Sequence, residues 1–261
     1  MICLTFDIEE FDNPFPCTQL LNFEQQMEIS RKGTAQILDL LAIYRIKATF
    51  FCTANFALHA QKLIKRMVEE GHEIASHGYY HNRFETNHLE ESRKALEDLS
   101  GESVTGFRMP NMREVSALAL TNAGYSYSSS LNPTFLPGKY NNFRKPRSVF
   151  REGMIYQIPA SVSPLVRIPL FWLALHNFPL PIYIYLAKQT LKKDGYLNLY
   201  FHPWEFVKLS DPASRLPVYV TRNSGDAMVQ RLGHFISYFK KNGVAFGCLN
   251  QCISQFAGKI D

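Results

Sequence analysis

The strongest constraint on the fold is a repeated alternation between short apolar runs and segments with helical periodicity. The apolar runs predict buried strands at residues 2–6, 47–53, 72–76, 104–108, 125–129, 154–160, 196–202 and 244–248. The periodic segments predict helices at residues 27–45, 57–71, 89–100, 114–124 and 226–243. Because most strands are followed by a helix, this order favours a parallel α/β barrel, with a doubly wound open sheet as the alternative.

Length and charge limit the remaining possibilities. A chain of 261 residues is normal for one such barrel, so we expect a single domain over residues 1–261. The formal net charge is +5, and the basic residues are scattered apart from small groups such as residues 143–151. This distribution argues against a nucleic-acid partner and leaves an anionic substrate or a lipid surface open.

The cysteines and the first residues bear on the compartment. Cys3, Cys17, Cys52, Cys248 and Cys252 are odd in number and widely spaced, which is typical of buried free thiols in a reducing environment. The first residues have no basic segment and soon turn acidic, unlike a signal peptide. We therefore expect a cytoplasmic protein.

The most apolar segment of the chain, residues 166–189, qualifies that expectation. Pro169, Pro179 and Pro181 interrupt it well short of the ~20 apolar residues that a membrane span needs. A buried helical excursion is favoured. Dense aromatic residues followed by lysines leave peripheral contact with the inner membrane face as a second interpretation.

Polar side chains collect where the predicted strands end. Asp7 and Glu9 end the first strand, while His77, Arg108 and His202 lie at the ends of three others. In a parallel barrel these ends meet at one mouth, where function is concentrated. Buried capping or ion-pair roles are the simpler explanation for each residue taken alone.

His77 and His81, four positions apart, could supply two nitrogen ligands to a metal ion, although this spacing alone is a weak signal. Side chains alternate along a strand, so Asp7 and Glu9 face one way and Ile8 the other. One of the two carboxylates could complete the metal site while the other takes a proton from water.

His202 has the intrinsic pKa of a general acid, and Arg108 could orient the base carboxylate through a charge-assisted pair. This set suits hydrolysis of an amide or ester through an oxyanion. The sequence has no G-x-S-x-G elbow and no P-loop, and no G-x-G-x-x-G follows the first strand, so serine hydrolases, kinases and dinucleotide-dependent enzymes lack their motifs.

The segments LTFDIEEF, SHGYYH, GFRMP, YSSSLNP and LYFHPWEF, in this order, resemble the five motifs of the polysaccharide deacetylase family, the NodB-like carbohydrate esterases. The last motif is most similar to an intracellular branch linked to exopolysaccharide and lipopolysaccharide assembly. The resemblance implies an irregular (β/α)7 TIM-like barrel. It also implies removal of N- or O-acetyl groups from a glycan or lipid-linked sugar with a divalent metal ion, usually zinc.

The resemblance also implies roles for individual residues. It makes Asp7 the catalytic base, His77 and His81 the metal-binding histidines, Arg108 the arginine that orients the base, and His202 the general acid.

Two further residues match the motifs that surround the family's groove. Pro110 matches a proline that walls it, and Trp204 would lie beside the bound sugar. Trp204 is equally well explained as a core residue.

The chain departs from the family pattern at two positions. Most relatives have a second aspartate where this chain has Ile8, and Glu9 is expected to replace it as the metal-binding carboxylate, with Glu10 as the weaker substitute. The fourth motif commonly begins with an aspartate, where this chain has Ser128. Loss of that carboxylate could make His202 less basic or alter contacts with the substrate.

Three functions follow in order of preference: a metal-dependent sugar deacetylase, a hydrolase of a non-sugar amide on the same barrel, and a catalytically impaired sugar-binding protein. Residues 132–152, rich in Asn, Pro and Arg, are expected to be a surface connection rather than a substrate loop.

Overall fold

The computed structural model describes residues 1–12, 16, 18–137, 140–209 and 215–260. The strands are β1 Ile2–Ile8, β2 Thr49–Cys52, β3 Glu73–Ser76, β4 Gly106–Phe107, β5 Tyr127–Ser128, β6 Phe135–Leu136, β7 Tyr140–Asn141, β8 Phe150–Glu152, β9 Ile155–Gln157 and β10 Leu197–Phe201. The α-helices are α1 Phe23–Tyr44, α2 Ala54–His59, α3 Gln61–Glu69, α4 His88–Ser100, α5 Ala117–Asn122, α6 Trp172–Asn177, α7 Leu180–Asp194, α8 Val218–Thr221, α9 Asp226–Lys241 and α10 Leu249–Ile260. Short 3₁₀ turns lie at Thr18–Leu20, Pro110–Met112 and Pro203–Phe206.

Eight strands form one curled sheet in the order β10-β1-β2-β3-β4-β5-β9-β8. All neighbours pair in parallel except β8 and β9. From β1 to β5 the spatial order follows the chain order, without the reversal that defines a doubly wound sheet. The fold is therefore the irregular α/β barrel that the sequence predicts, and the doubly wound alternative is wrong.

The barrel is closed between β9 and β10 by a few polar contacts rather than by a strand ladder. The Ser161 amide donates a hydrogen bond to the Asn198 carbonyl oxygen at 2.9 Å. The Asn198 side-chain amide donates to the Ile158 and Pro159 carbonyl oxygens at 3.1 and 3.2 Å. A buried asparagine thus satisfies backbone acceptors that a regular strand pair would otherwise cover.

Alternation along β1 sorts its side chains between two layers. Leu4, Phe6 and Ile8 pack in the large apolar core that includes residues of the surrounding helices, whereas Cys3 belongs to a smaller separate cluster. Asp7 is also buried but lines a cavity rather than the core. The strand therefore anchors the fold with one face and supplies chemistry with the other.

Several predicted elements differ from the observed ones. The predicted strand at residues 244–248 is wrong: Phe246 makes only an isolated bridge to Ile2, and α10 begins directly afterwards. The predicted helix at residues 57–71 is divided between α2 and α3, because Ala60 leaves helical geometry with φ −136° and ψ 37°. Sequence analysis missed α10 entirely.

The apolar segment at residues 166–189 forms α6 and part of α7, the buried helical excursion that sequence analysis favours. Leu170, Leu175 and Tyr183 are fully buried within it. Among the described residues, no helix has both the length and the apolar character needed to span a bilayer.

The expectation that residues 132–152 are only a surface connection is also wrong. Strands β6 and β7 form a small antiparallel hairpin in this region, and β8 is an edge strand of the main sheet. Leu136 and Pro137 line the cavity that holds Asp7. Because the segment has few apolar residues, its composition did not indicate that it lines the cavity.

Helix α1 packs against the 3₁₀ turn Pro203–Phe206, which follows His202 directly. A Cβ atom placed on Gly33 of α1 would lie 1.9 Å from the Pro203 carbonyl oxygen and 2.4 Å from its carbonyl carbon. Only glycine permits this approach of a helix to a neighbouring backbone.

We therefore predict that Gly33→Ala destabilises the protein by at least about 3 kcal/mol, although alanine in a helix interior normally adds about 1 kcal/mol of stability. Urea unfolding would measure the loss. Gly233→Ala is the matched control, because a Cβ atom on this α9 glycine would meet the Tyr44 hydroxyl at 3.1 Å rather than a backbone. Equal stability of the two variants would contradict the packing argument.

Candidate metal centre and catalytic groups

Asp7 and Glu9 lie at the carboxyl end of β1, where both side chains enter one cavity. Their exposed fractions are 3% and 5%, so both carboxylates are largely removed from water. Ile8, between them, is fully buried in the apolar core. This arrangement follows the strand alternation that the sequence predicts.

Glu9 meets the two histidines at one point. Its Oε2 atom lies 3.2 Å from His77 Nε2 and 3.0 Å from His81 Nε2. One ligand atom from each of the three residues lies within 4.8 Å of the others, which is the spacing of a potential metal site. Two imidazoles and a carboxylate form a common donor set for zinc and other divalent ions, with positions left open for water and substrate.

The Nδ1 atoms of both histidines are hydrogen-bonded, and these bonds fix the orientation of the rings. His77 Nδ1 donates to the Arg108 carbonyl oxygen at 2.8 Å, and His81 Nδ1 donates to Asp12 Oδ1 at 2.5 Å. In the neutral imidazoles, Nε2 therefore carries a lone pair directed towards Glu9. Asp12 was not among the predicted site residues, and its role depends on a contact between distant parts of the chain.

Glu9 Oε2, His77 Nε2 and His81 Nε2 face one point. A cation between them would satisfy all three atoms better than their contacts with one another do. Glu9 Oε2 is buried and has no hydrogen-bond partner of acceptable geometry among the described residues. A buried carboxylate oxygen facing two nitrogen lone pairs is unfavourable unless a positive charge lies between them. The donor set and the unpaired oxygen both fit a divalent metal ion.

The electrostatics lead to the same conclusion. Burial opposes the charge on Glu9, but the charge on His81 and the contacts with both imidazoles outweigh it and hold the pKa of Glu9 well below its usual range. Burial also opposes the charge on His81, but Glu9 and Asp12 raise its pKa well above the usual value. A proton on His81 is thus the alternative to a bound cation, and the two compete.

Arg108 holds the second carboxylate. It is fully buried, and its Nη1 atom lies 2.6 Å from Asp7 Oδ1 and donates to Thr5 Oγ1 at 2.9 Å. Its Nε atom donates to the Ser129 carbonyl oxygen at 3.0 Å, and the guanidinium carbon lies 4.1 Å from the centre of the Phe51 ring. These contacts leave Asp7 Oδ2 on the side that faces His202, at 3.9 Å from its Nε2 atom.

His202 is paired with a carboxylate that sequence analysis missed. Glu205 Oε1 accepts hydrogen bonds from His202 Nδ1 at 2.9 Å and from the His202 backbone amide at 2.6 Å. Burial lowers the pKa of His202, but the bond to Glu205 and the charges of Glu9 and Asp7 outweigh burial and raise it. A glutamate three residues after the histidine, at the start of a turn, is the sequence signal that could have identified this pair.

Ser128 was expected to leave His202 without a neighbouring carboxylate and so to make it less basic, but Glu205 supplies such a carboxylate. Ser128 Oγ lies 2.8 Å from Ser130 Oγ, and both residues line a second cavity of about 630 Å³. The carboxylate beside His202 comes from Glu205, so the basicity of His202 is maintained without an aspartate at position 128.

The side chains of Asp7, Glu9, His77, His81 and His202 line a cavity of about 640 Å³. Trp204 lines it but is only 2% exposed, and its ring stacks on His202 with centroids 5.8 Å apart. Pro110 is buried, with its ring 3.9 Å from the position of a Cβ atom on Gly78. The next two residues, Asn111 and Met112, line the cavity and have φ values of 58° and 54°.

Glu10, the weaker candidate for a metal ligand, is engaged elsewhere. Its Oε2 atom accepts a hydrogen bond from Thr53 Oγ1 at 2.8 Å, and its Oε1 atom accepts one from Asn55. It therefore secures the loop after β1 to the start of α2, while Glu9 meets the Nε2 atoms of both histidines.

Comparison with known proteins identifies the class. The family model described as polysaccharide deacetylase matches residues 1–128, and over this part the chain belongs to the polysaccharide deacetylase family. The peptidoglycan-N-acetylmuramic acid deacetylase PdaA of Bacillus subtilis is 35% identical over 75 residues, which are 28% of this chain and 28% of that protein. The chain is thus aligned with little more than a quarter of that relative.

Two solved structures share the fold over nearly the whole chain. A probable polysaccharide deacetylase from Pseudomonas aeruginosa PAO1 has a TM-score of 0.67 and 15% identity, covering 99% of this chain and 91% of its own. The PuuE allantoinase has a TM-score of 0.64 and 18% identity, covering 99% of this chain and 90% of its own. At such identities the similarity is one of fold.

We predict that Glu205→Gln lowers the pKa of His202, because the variant removes the carboxylate charge bonded to Nδ1 and keeps the shape of the side chain. His202 would then lose its proton at a lower pH, and the alkaline limb of any activity that needs the imidazolium would move the same way. NMR titration, with His202→Gln to assign the signal, measures the shift.

Glu90→Gln, on the exposed face of α4, is the control for general loss of negative charge. An unchanged titration of His202 in the Glu205 variant would show that the pair does not set its basicity.

Proposed function

We propose that the protein is a metal-dependent hydrolase that removes an N-acetyl, or O-acetyl, group from a sugar of a polysaccharide or lipid-linked glycan precursor. The observation that supports this most is the buried meeting of Glu9, His77 and His81 beside two separately held groups, Asp7 and His202. The family of residues 1–128 supports the acetylated sugar as substrate class.

Glu9, His77 and His81 would hold the metal ion, which we propose is zinc. When bound, the ion would polarise the acetyl carbonyl group and lower the pKa of the attacking water. His77 and His81 are held for this task by the Arg108 carbonyl oxygen and Asp12, contacts that fix the ring orientation.

Asp7 acts as the general base. Arg108 binds its Oδ1 atom and leaves Oδ2 to accept a proton from the attacking water. Because Arg108 is itself fixed by Thr5 and Ser129, the base has a defined position in the cavity.

His202 acts as the general acid. Its protonated ring, stabilised by Glu205, donates from Nε2 to the amine nitrogen as the carbon–nitrogen bond of the acetamide breaks. The water oxygen ends on the acetyl carbon, so the products are acetate and the free amine of the sugar. His202 faces Asp7 across 3.9 Å, a separation from which both groups can reach one reacting centre.

Two other functions are less well supported. A hydrolase of a small cyclic amide has a fold precedent in the PuuE allantoinase, but a cavity of about 640 Å³ has room for a pyranose ring and its neighbours. An impaired sugar-binding protein would be favoured if Glu9 pointed to solvent. Its Oε2 atom instead lies 3.0 Å from His81 Nε2, which supports a competent site.

We further propose that the protein works in the cytoplasm, as one domain over residues 1–261. The described cysteines Cys3, Cys52, Cys248 and Cys252 are buried free thiols, as in proteins kept in a reducing compartment. Cys17 lies outside the described residues.

We predict that the zinc-loaded protein releases acetate from N-acetylated glycans such as chitooligosaccharides and peptidoglycan fragments, and that Asp7→Asn lowers kcat by about 10²- to 10⁴-fold because the amide cannot accept the proton of the attacking water. An enzyme-coupled acetate assay measures both. Asp98→Asn, at an exposed position of α4, is the matched control and should keep full activity. No acetate release from any such glycan would contradict the proposed function.

A further inference from the structure

Polar and apolar side chains are unevenly distributed in the cavity that Asp7, Glu9 and His202 line. Beyond the carboxylates and imidazoles, the polar side-chain atoms of the described lining belong to Asn111, to the tyrosines Tyr200 and Tyr219 and to the two indole rings, and the other lining side chains are apolar. Aromatic faces such as that of Trp172 can stack on a sugar ring. Aliphatic lining residues, among them Leu136, Leu173 and Val220, offer nothing to a sugar hydroxyl.

This composition restricts what lies next to the reacting sugar. A second and third sugar unit would bury hydroxyl groups against aliphatic side chains and lose their hydrogen bonds to water. An apolar chain loses nothing there and gains from leaving water. The cavity therefore fits one sugar at the catalytic end and a hydrocarbon group along the remaining wall.

Exposed apolar residues directly precede lining residues of the cavity in the chain. Phe135 precedes the lining residue Leu136, and Val218 precedes the lining residue Tyr219. Phe135, Val218 and Tyr219, here called the rim, have exposed fractions of 53%, 75% and 54%. They come from two separate segments, the β6–β7 hairpin and α8, and each segment also contributes a lining residue to the cavity, Leu136 and Tyr219 respectively.

Basic residues accompany the rim. Lys208 and Arg222 are both exposed, and the Lys208 backbone lies 3.1 Å from the position of a Cβ atom on Gly225, which places it beside the loop after α8. Arg144 shares a small surface cavity with Phe135. Exposed aromatic and aliphatic groups next to cations are typical of surfaces that rest on anionic bilayers.

We propose that the rim docks on an anionic membrane surface and that the substrate is a sugar carried on a lipid chain, which enters the cavity along its aliphatic wall. This inference rests on the proposed function and narrows its substrate from glycans in general to an amphiphile. The rim would enter the interface while the acetylated sugar reaches the metal-binding end of the cavity.

Vesicle sedimentation tests the docking step without relying on catalysis. We expect the protein to bind vesicles of phosphatidylcholine mixed with phosphatidylglycerol and to bind phosphatidylcholine alone more weakly. The double variant Phe135→Ser/Val218→Ser should bind the mixed vesicles at least about tenfold more weakly, since it removes two apolar groups from the interface. Asp7→Asn should sediment like the unaltered protein, whether or not acetate release is ever observed.

The matched control is Ile43→Ser/Leu118→Ser, which removes two side chains that are 75% and 70% exposed on α1 and α5. It should bind vesicles like the unaltered protein, and zinc stoichiometry and circular dichroism would verify that both double variants fold. Absence of vesicle binding, equal loss in the two double variants, or a dimer that depends on the rim in place of vesicle binding would each overturn the proposal.

Discussion

The buried guanidinium of Arg108 is the interaction on which the site depends. A fully buried charge is tolerated only when it is paired and hydrogen-bonded, and Arg108 finds its partners in Asp7, Thr5 and Ser129. Its carbonyl oxygen also accepts the hydrogen bond of His77 Nδ1. One residue directly after β4 therefore holds Asp7, the proposed base, on one side and His77, a proposed metal ligand, on the other. Its loss would leave Asp7 as an uncompensated buried carboxylate.

The chain also shows how the required carboxylates can come from unusual positions. The motif that this chain resembles has an aspartate at the position of Ile8, yet Glu9, which lies on the same face of the strand as Asp7, reaches both histidines. Ser128 stands where another aspartate is common, and Glu205 supplies the partner of His202 from three residues further along the chain. The physical requirement is a carboxylate at a point in space, and a strand end or a 3₁₀ turn can present one from more than one position in the sequence.

Features governed by local periodicity were predictable. The alternation of β1, the strand–helix order and the clustering of polar residues at strand ends follow from side-chain directions that the backbone dictates. Contacts between segments that are distant in the sequence were not predictable. The bond from His81 to Asp12 joins residues 69 positions apart, and the contribution of Leu136 to the cavity depends on a hairpin whose composition resembles a surface loop. The strand predicted at residues 244–248 is wrong because only an isolated bridge joins Phe246 to Ile2, at the start of β1.

The measurement that tests the central claim most directly is calorimetric zinc titration of the metal-stripped protein, run beside Glu9→Ala, His77→Ala and Glu10→Gln. We predict stoichiometric tight binding that is lost in the Glu9 and His77 variants. Binding should persist in Glu10→Gln, because Glu10 bonds Thr53 and Asn55 rather than the histidines. Binding that is absent from the unaltered protein, or indifferent to Glu9, would contradict a centre built from two histidines and the relocated carboxylate.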